Sequence, residues 1–216
     1  MKSYIVIGLG RFGTEMAAKL YECGEEVLAV DINETLVDKI ADRVTRAVAA
    51  DARDLDVLRR LGAKFFDRAI VAVGSDLAAS ALITMNLKTL GVPYIMCKAH
   101  DDTYREILER LGVDRVIIPE REMADKLSLG LTSAGVMEYI ELSDEYGIVE
   151  MAPPRSWWGK SIRELDLRSR YGINVIAMRQ EEKLSIPPDI NAPLAEGTTL
   201  VMLGSYDTIS RIDDEQ

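Results

Sequence analysis

The chain has 216 residues, 48% of them apolar, and its 36 acidic against 26 basic side chains leave a formal charge of −10. That balance offers no electrostatic footprint for nucleic acid or an anionic membrane surface, and no apolar run approaches the roughly 18 residues of a membrane span, which argues against direct membrane insertion. A single histidine and two cysteines exclude a site built on two imidazoles, a disulfide framework and the usual zinc spacings. Met1-Lys2-Ser3-Tyr4 leads straight into a strand-like run, so no secretion signal is expected and the chain reads as cytoplasmic.

Short apolar runs predict strands over 4–7, 27–31, 46–49, 68–73, 94–98 and 115–118, with helices in the intervals. Helix starts are marked by Asp31 and Asn33 before 34–43, by Ser75 and Asp76 before 77–90, and by Asp101 and Asp102 before 103–111. Their short side chains satisfy the free first-turn amides. Gly24, Gly62, Gly91 and Gly112 supply left-handed stops at helix ends. Six short strands buried on both faces and separated by helices predict an α/β fold, a Rossmann-like doubly wound parallel sheet.

After residue 133 the pattern changes. Strands are predicted over 136–142, 148–152, 174–178, 184–186 and 199–203, and helices over 161–170 and 206–212 only. Pro153-Pro154, Pro187-Pro188 and Pro193 punctuate the loops. The expected organisation is a nucleotide-binding domain over 1–133 and a small α+β domain over 134–216. The acidic end, 213–216, reads as a frayed tail.

Gly8-Leu9-Gly10-Arg11-Phe12-Gly13 follows the first strand and opens the first helix. In that setting the glycines allow a tight turn, close approach of a phosphate to the backbone, and close packing of helix on strand, while the helix amides face the anion. Asp31 ends the second strand, where a carboxylate accepts both ribose hydroxyls and repels a 2′-phosphate. The expected ligand is a mononucleotide or dinucleotide with an unmodified adenosine ribose. Arg11, a cation in the first turn of a helix, opposes the macrodipole by about 0.3–1 kcal/mol, and a bound phosphate reverses the sign.

Catalytic groups are scarce. Tyr94 and Lys98 match the Tyr-x-x-x-Lys spacing of short-chain dehydrogenases, but that pair needs a helix, where i and i+4 are about 6 Å apart. After Gly91-Val92-Pro93 the segment reads as a strand, which separates the two by about 13 Å. His100 follows the fifth strand as a lone loop histidine. A small NAD-dependent oxidoreductase is therefore the alternative to a nucleotide sensor. A transcriptional regulator is disfavoured by the acidic balance.

The residues resemble the cytoplasmic regulatory subunits of Ktr/Trk potassium-uptake systems, which consist of an RCK (regulator of K⁺ conductance) N-domain and an RCK C-domain. The resemblance rests on Val6–Gly13 and Val27–Asn33, then on Ala50-Asp51-Ala52, Lys98-Ala99, Val113–Glu120, Leu167–Gly172 and Gly197–Gly204. It covers essentially the whole chain and is nearer the Ktr branch. It implies no enzyme but a gating subunit: a homo-oligomer, commonly an octameric ring made of dimers, docked at the inner face of the membrane beneath a separate K⁺-transporter chain.

In the family, ATP/ADP or NAD/NADH binds the N-domain. The resemblance implies that Gly8, Gly10, Arg11, Phe12 and Gly13 form the phosphate loop, with Arg11 reading the terminal phosphate. Asp31, Ile32 and Asn33 follow at the ribose, Asp51 and Ala52 lie near the adenosine, and Gly74 and Lys98 complete the site, Lys98 as a phosphate contact. Glu120 corresponds to a carboxylate that helps bind a divalent cation, Mg or Ca, at the dimer interface. Ala50 departs from a glycine common at that position. The C-domain of the family can bind cyclic di-AMP between two subunits, with 161–170 and 172–176 as the corresponding segments. Trp157-Trp158, in a Pro-flanked loop, reads as an apolar plug or a docking patch.

Overall fold

A computed structural model describes residues 1–132, 136–143, 145–181 and 183–214. They form two compact units, Met1–Glu122 and Met123–Gln216. The domain boundary expected between 133 and 134 lies outside the described residues, as do the last two residues of the acidic tail.

In the first unit β1 (Ser3–Ile7), α1 (Arg11–Glu22), β2 (Glu26–Asp31), α2 (Glu34–Ile40), β3 (Arg46–Ala49), α3 (Leu55–Arg60), β4 (Arg68–Val71), α4 (Leu77–Thr89), β5 (Ile95–Lys98), α5 (Asp102–Arg110) and β6 (Arg115–Ile117) alternate strictly. A further helix, α6 (Pro119–Thr132), begins in this unit and continues into the residues of the second. The sheet order is β3-β2-β1-β4-β5-β6 and every pairing is parallel. Alternate residues of each strand feed two cores: Ile5, Leu28, Val30 and Val71 pack on one face, Val6, Val27, Ala29 and Ile70 on the other. A sheet covered on both faces is what makes these strands continuously apolar.

The helix caps are placed as the sequence predicts, with Asn33, Asp76 and Asp101 accepting from first-turn amides of α2, α4 and α5. α3 has a cap of its own, Asp54, which accepts from the amides of Asp56 and Val57. α2 is shorter than the predicted 34–43, because Ala41–Arg43 tighten into a 3₁₀ turn. β4 stops at Val71 rather than 73, and Ala72, Val73 and Gly74 turn into the crevice instead. Cys97 is buried, its Sγ 3.2 Å from Thr84 Oγ1, and burial pushes the thiol up to about 11. It is inert at neutral pH.

The second unit holds β7 (Val136–Glu141), β8 (Tyr146–Met151), α7 (Ile162–Leu165), α8 (Leu167–Tyr171), β9 (Asn174–Gln180), β10 (Lys183–Ser185), β11 (Thr198–Ser205) and α9 (Tyr206–Asp213). Its sheet, ordered β10-β9-β11-β8-β7, is antiparallel throughout. The single helix expected over 161–170 is instead two short ones. A capping box between Ser161 and Glu164 starts α7, and Asp166, at φ 44°, breaks the path before α8. Trp157 is buried in this core and packs on Tyr171 at 5.7 Å between ring centroids, whereas Trp158 is exposed beside the Arg155 guanidinium.

Candidate functional site

The crevice lies at the C-terminal ends of β3, β2, β1 and β4, where the strand order reverses direction about β1. Open α/β sheets bind ligands at such a switch point. β1 runs directly into the glycine loop. Gly8 has φ 94°, and a Cβ there would stand 2.9 Å from Val73 Cγ2. Gly13 lies beneath it in the first turn of α1, where a Cβ would be 1.9 Å from the Gly8 carbonyl oxygen. These two glycines let loop, helix and β4 close on one another. Gly10 is different: nothing lies within 4 Å of where its Cβ would stand, and it lines the cavity.

Gly10 is also the N-cap of α1. It has no side chain to accept from the first-turn amides, and no acidic residue lies in that turn. The helices α2, α3, α4 and α5 all carry an Asn or Asp cap. α1 therefore opens with free N–H groups and the positive end of its dipole beside the cavity, the arrangement that receives a phosphate. Thr14 Oγ1 donates to the Leu9 carbonyl at 2.9 Å and steadies the turn.

Asp31, at the end of β2, holds the loop from the other side. Its Oδ2 accepts the Leu9 N–H at 2.6 Å and its Oδ1 the Asn33 N–H at 2.8 Å. An ionised carboxylate has about four acceptor sites, so two bonds leave room for ribose hydroxyls. A cavity of about 430 Å³ opens between these elements, lined by Gly8, Gly10, Asp31, Ile32, Asp51, Ala52 and Gly74 among others. Ile32 is 67% exposed at its wall, an apolar surface available to a base or sugar. The space, the free amides and the placed carboxylate fit a nucleotide.

Other predicted site residues stand beside the cavity rather than in its wall. Asn33 caps α2 through its side chain, accepting from Thr35 N–H at 3.0 Å. Arg11 is exposed at the start of α1. Phe12 is partly buried, with the Lys98 ammonium 6.0 Å from its ring centroid. The Lys98 stem lies over Gly74, and its Nζ donates to Glu120 Oε1 at 2.6 Å. That ammonium, above all, holds the Glu120 carboxyl below the usual range. The expected phosphate contact and the expected cation ligand thus face each other next to the loop. Among the described residues, no group of three or more His, Cys, Asp or Glu side chains gathers to hold a metal.

Sequence reasoning missed Arg53 and assigned Asp76 only a capping role, yet both line the cavity. Arg53 forks onto Asp51, with Nη2 2.7 Å from Oδ2 and Nε 2.9 Å from Oδ1. The guanidinium, first among the causes, holds the Asp51 carboxyl below its ordinary value. The Asp-x-Arg spacing after β3 was the available signal. Tyr94 immediately precedes β5 and Lys98 ends it, so the two stand at opposite ends of the sheet. Tyr94 lies under the Arg68 guanidinium, 4.6 Å from its ring centroid. His100 is 73% exposed beside Asp101.

Residues 4–119 match the TrkA-N domain and residues 147–215 the TrkA-C domain. The chain is 40% identical over 214 residues to Ktr system potassium uptake protein A of Bacillus subtilis (strain 168), covering 99% of this chain and 96% of that one. It is 38% identical over 212 residues to Ktr system potassium uptake protein C of the same strain, covering 98% and 96%. Among solved structures, the GsuK channel bound to NAD superposes with a TM-score of 0.69 at 18% identity, over 99% of this chain and 39% of that one, a likeness of fold. A parallel six-stranded unit with a glycine loop, a small antiparallel unit after it, and near-full-length matches at 38% and 40% identity to two potassium-uptake proteins lead to one conclusion: the chain belongs to the TrkA-N/TrkA-C family of potassium-uptake proteins, in its Ktr branch.

Proposed function

We propose that this chain is the nucleotide-sensing regulatory subunit of a potassium-uptake transporter whose membrane-spanning part is a separate chain. The observation that carries the reading is the start of α1: a helix N-terminus without a side-chain cap, seated on two glycines that admit no Cβ, with Asp31 bonded to the loop amide at 2.6 Å. Among the described residues no helix is long and apolar enough to cross a membrane, which fits a partner that supplies the span.

The ligand we propose is ATP or ADP, with NAD or NADH as the other member of the adenine class. The phosphates would sit over Gly8, Gly10 and Gly13 at the α1 amides, the ribose at Asp31, and the base toward Ile32, Asp51 and Ala52. A nucleotide shifts a two-state assembly only by its differential affinity for the two states. Arg11 would supply that difference, because a third phosphate reaches further from the loop than the second. Lys98 would serve as a second cation at the phosphates, and Glu120, released from it, would offer an oxygen ligand to Mg²⁺ or Ca²⁺. One carboxylate is too few for such a cation, so phosphate oxygens or a second copy of the chain must complete the set.

A sensor of this kind needs a pocket and an assembly, not an acid–base pair, and we read the chain as no enzyme. We further read it as a ring of dimers, commonly an octamer, held at the cytoplasmic face of the membrane by the transporter, with cyclic di-AMP as a second ligand of the C-terminal unit. The test is potassium uptake in cells carrying the transporter subunit, with wild-type chain or Asp31→Ala, together with calorimetry of ADP, ATP, NAD⁺ and NADH against the full chain. The reading requires adenine-nucleotide binding and uptake that depends on Asp31. Uptake indifferent to the substitution contradicts it.

A further inference from the structure

The β3 side of the cavity is walled by an ion pair that takes no part in the phosphate loop. Asp51 Oδ1 accepts the Arg53 main-chain N–H at 3.0 Å and Nε–H at 2.9 Å, and Oδ2 accepts Nη2–H at 2.7 Å. The Arg53 carbonyl accepts the Asn86 Nδ2–H at 2.8 Å, which ties this turn to α4. Both side chains line the cavity and stay partly open, Arg53 49% and Asp51 40% exposed. Acceptor and donor atoms beyond those in the pair therefore remain available there.

β3 stands two places from β1 in the sheet, about 10 Å at the usual strand spacing. That is about the reach of a nucleotide from phosphates over the loop to its base. Resting on the nucleotide reading above, we propose that the Asp51–Arg53 pair selects the base, Arg53 being the residue that fixes the choice of an aminopurine over an oxopurine.

The argument is one of matching edges. Locked together, a carboxylate and a guanidinium present an acceptor beside a donor. Adenine carries the complement, an amino donor next to a ring-nitrogen acceptor. Guanine offers two acceptors, O6 and N7, on one edge, and two adjacent donors, N1–H and the amino group, on another. Either edge suits only one member of the pair, so guanine binds well only if the pair breaks. Without Arg53 the Asp51 carboxylate is free to accept both guanine donors.

Calorimetry of the full chain with ADP and GDP tests this. Wild type is expected to prefer ADP by about tenfold or more, the scale of bidentate base discrimination. Arg53→Ala is expected to weaken ADP, strengthen GDP and bring the ratio to about threefold or less. Arg53→Lys, which keeps the charge without the planar fork, is expected to lower the ratio as well. A ratio unchanged in both variants, or a wild type that prefers GDP, overturns the proposal. Binding of neither nucleotide by wild type instead overturns the nucleotide reading on which it rests.

Discussion

Gly13→Ala and Gly10→Ala separate the packing of the loop from its approach to a ligand. A Cβ at residue 13 would stand 1.9 Å from the Gly8 carbonyl oxygen and 3.0 Å from Ala72 Cβ. The loop cannot simply lift away, because the Gly8 N–H is bonded to the Val30 carbonyl at 2.8 Å and Gly13 is buried. Overpacking costs about 1–3 kcal/mol, and a collision with a main-chain oxygen belongs at the upper end, about 3 kcal/mol. For a unit of this size each kcal/mol moves Tm by about 4 °C, so the first unit should melt about 10 °C lower. Gly10→Ala meets nothing within 4 Å, and its φ of −68° suits alanine. The lost chain entropy of glycine and the poorer capping by alanine nearly cancel, leaving Tm within about 3 °C. Its methyl would nevertheless stand where the proposed phosphate meets the amides, and ADP affinity should fall about tenfold or more. Differential scanning calorimetry and titration calorimetry read the two effects. An unchanged Tm for Gly13→Ala, or wild-type ADP affinity for Gly10→Ala, refutes the reasoning.

Three further outcomes are expected. Asp31→Ala removes both the proposed ribose acceptor and the brace on the Leu9 amide, and should weaken ADP, ATP and NAD⁺ alike by about 10–100-fold in calorimetry, charge-assisted hydrogen bonds being worth about 1.5–3 kcal/mol. Arg11→Ala should narrow the difference between ATP and ADP while leaving ADP binding nearly intact, and competition calorimetry with both nucleotides would detect an unchanged difference. In the second unit, Glu150 accepts from Arg179 Nε at 2.8 Å and Thr199 Oγ1 at 3.0 Å, and the Arg179 guanidinium, above all, holds its carboxyl below the ordinary value. A folded-state pKa below the unfolded one stabilises the fold fully above the unfolded value, about 4.3, and the contribution is lost as pH falls through the folded value. The second unit's Tm should therefore drop more steeply below about pH 4.3 in wild type than in Glu150→Gln, as followed by circular dichroism.

Much of the first unit was legible because its signals are local. Strand positions follow from apolar runs such as Val27–Val30, and helix starts from Asn33, Asp76 and Asp101, each of which bonds the amide its position predicts. The loop glycines were legible for the same reason, their requirement being set by backbone contacts within one βα turn. Arg53 was not, since its place in the wall depends on a fork onto Asp51 and on Asn86 reaching across from α4. Lys98 and Glu120 were each singled out, but their mutual bond joins the end of β5 to the start of α6, 22 positions apart, which no local pattern encodes. In the second unit Asp166, in a left-handed conformation, splits the single helix expected over 161–170.

Native mass spectrometry of the purified full chain tests the central claim most directly. The account predicts an even-numbered assembly that carries adenine nucleotide, retained or taken up on addition of ADP, and that loses it in Asp31→Ala. A species that takes up no adenine nucleotide at any assembly size, or that holds it equally well without Asp31, would contradict it.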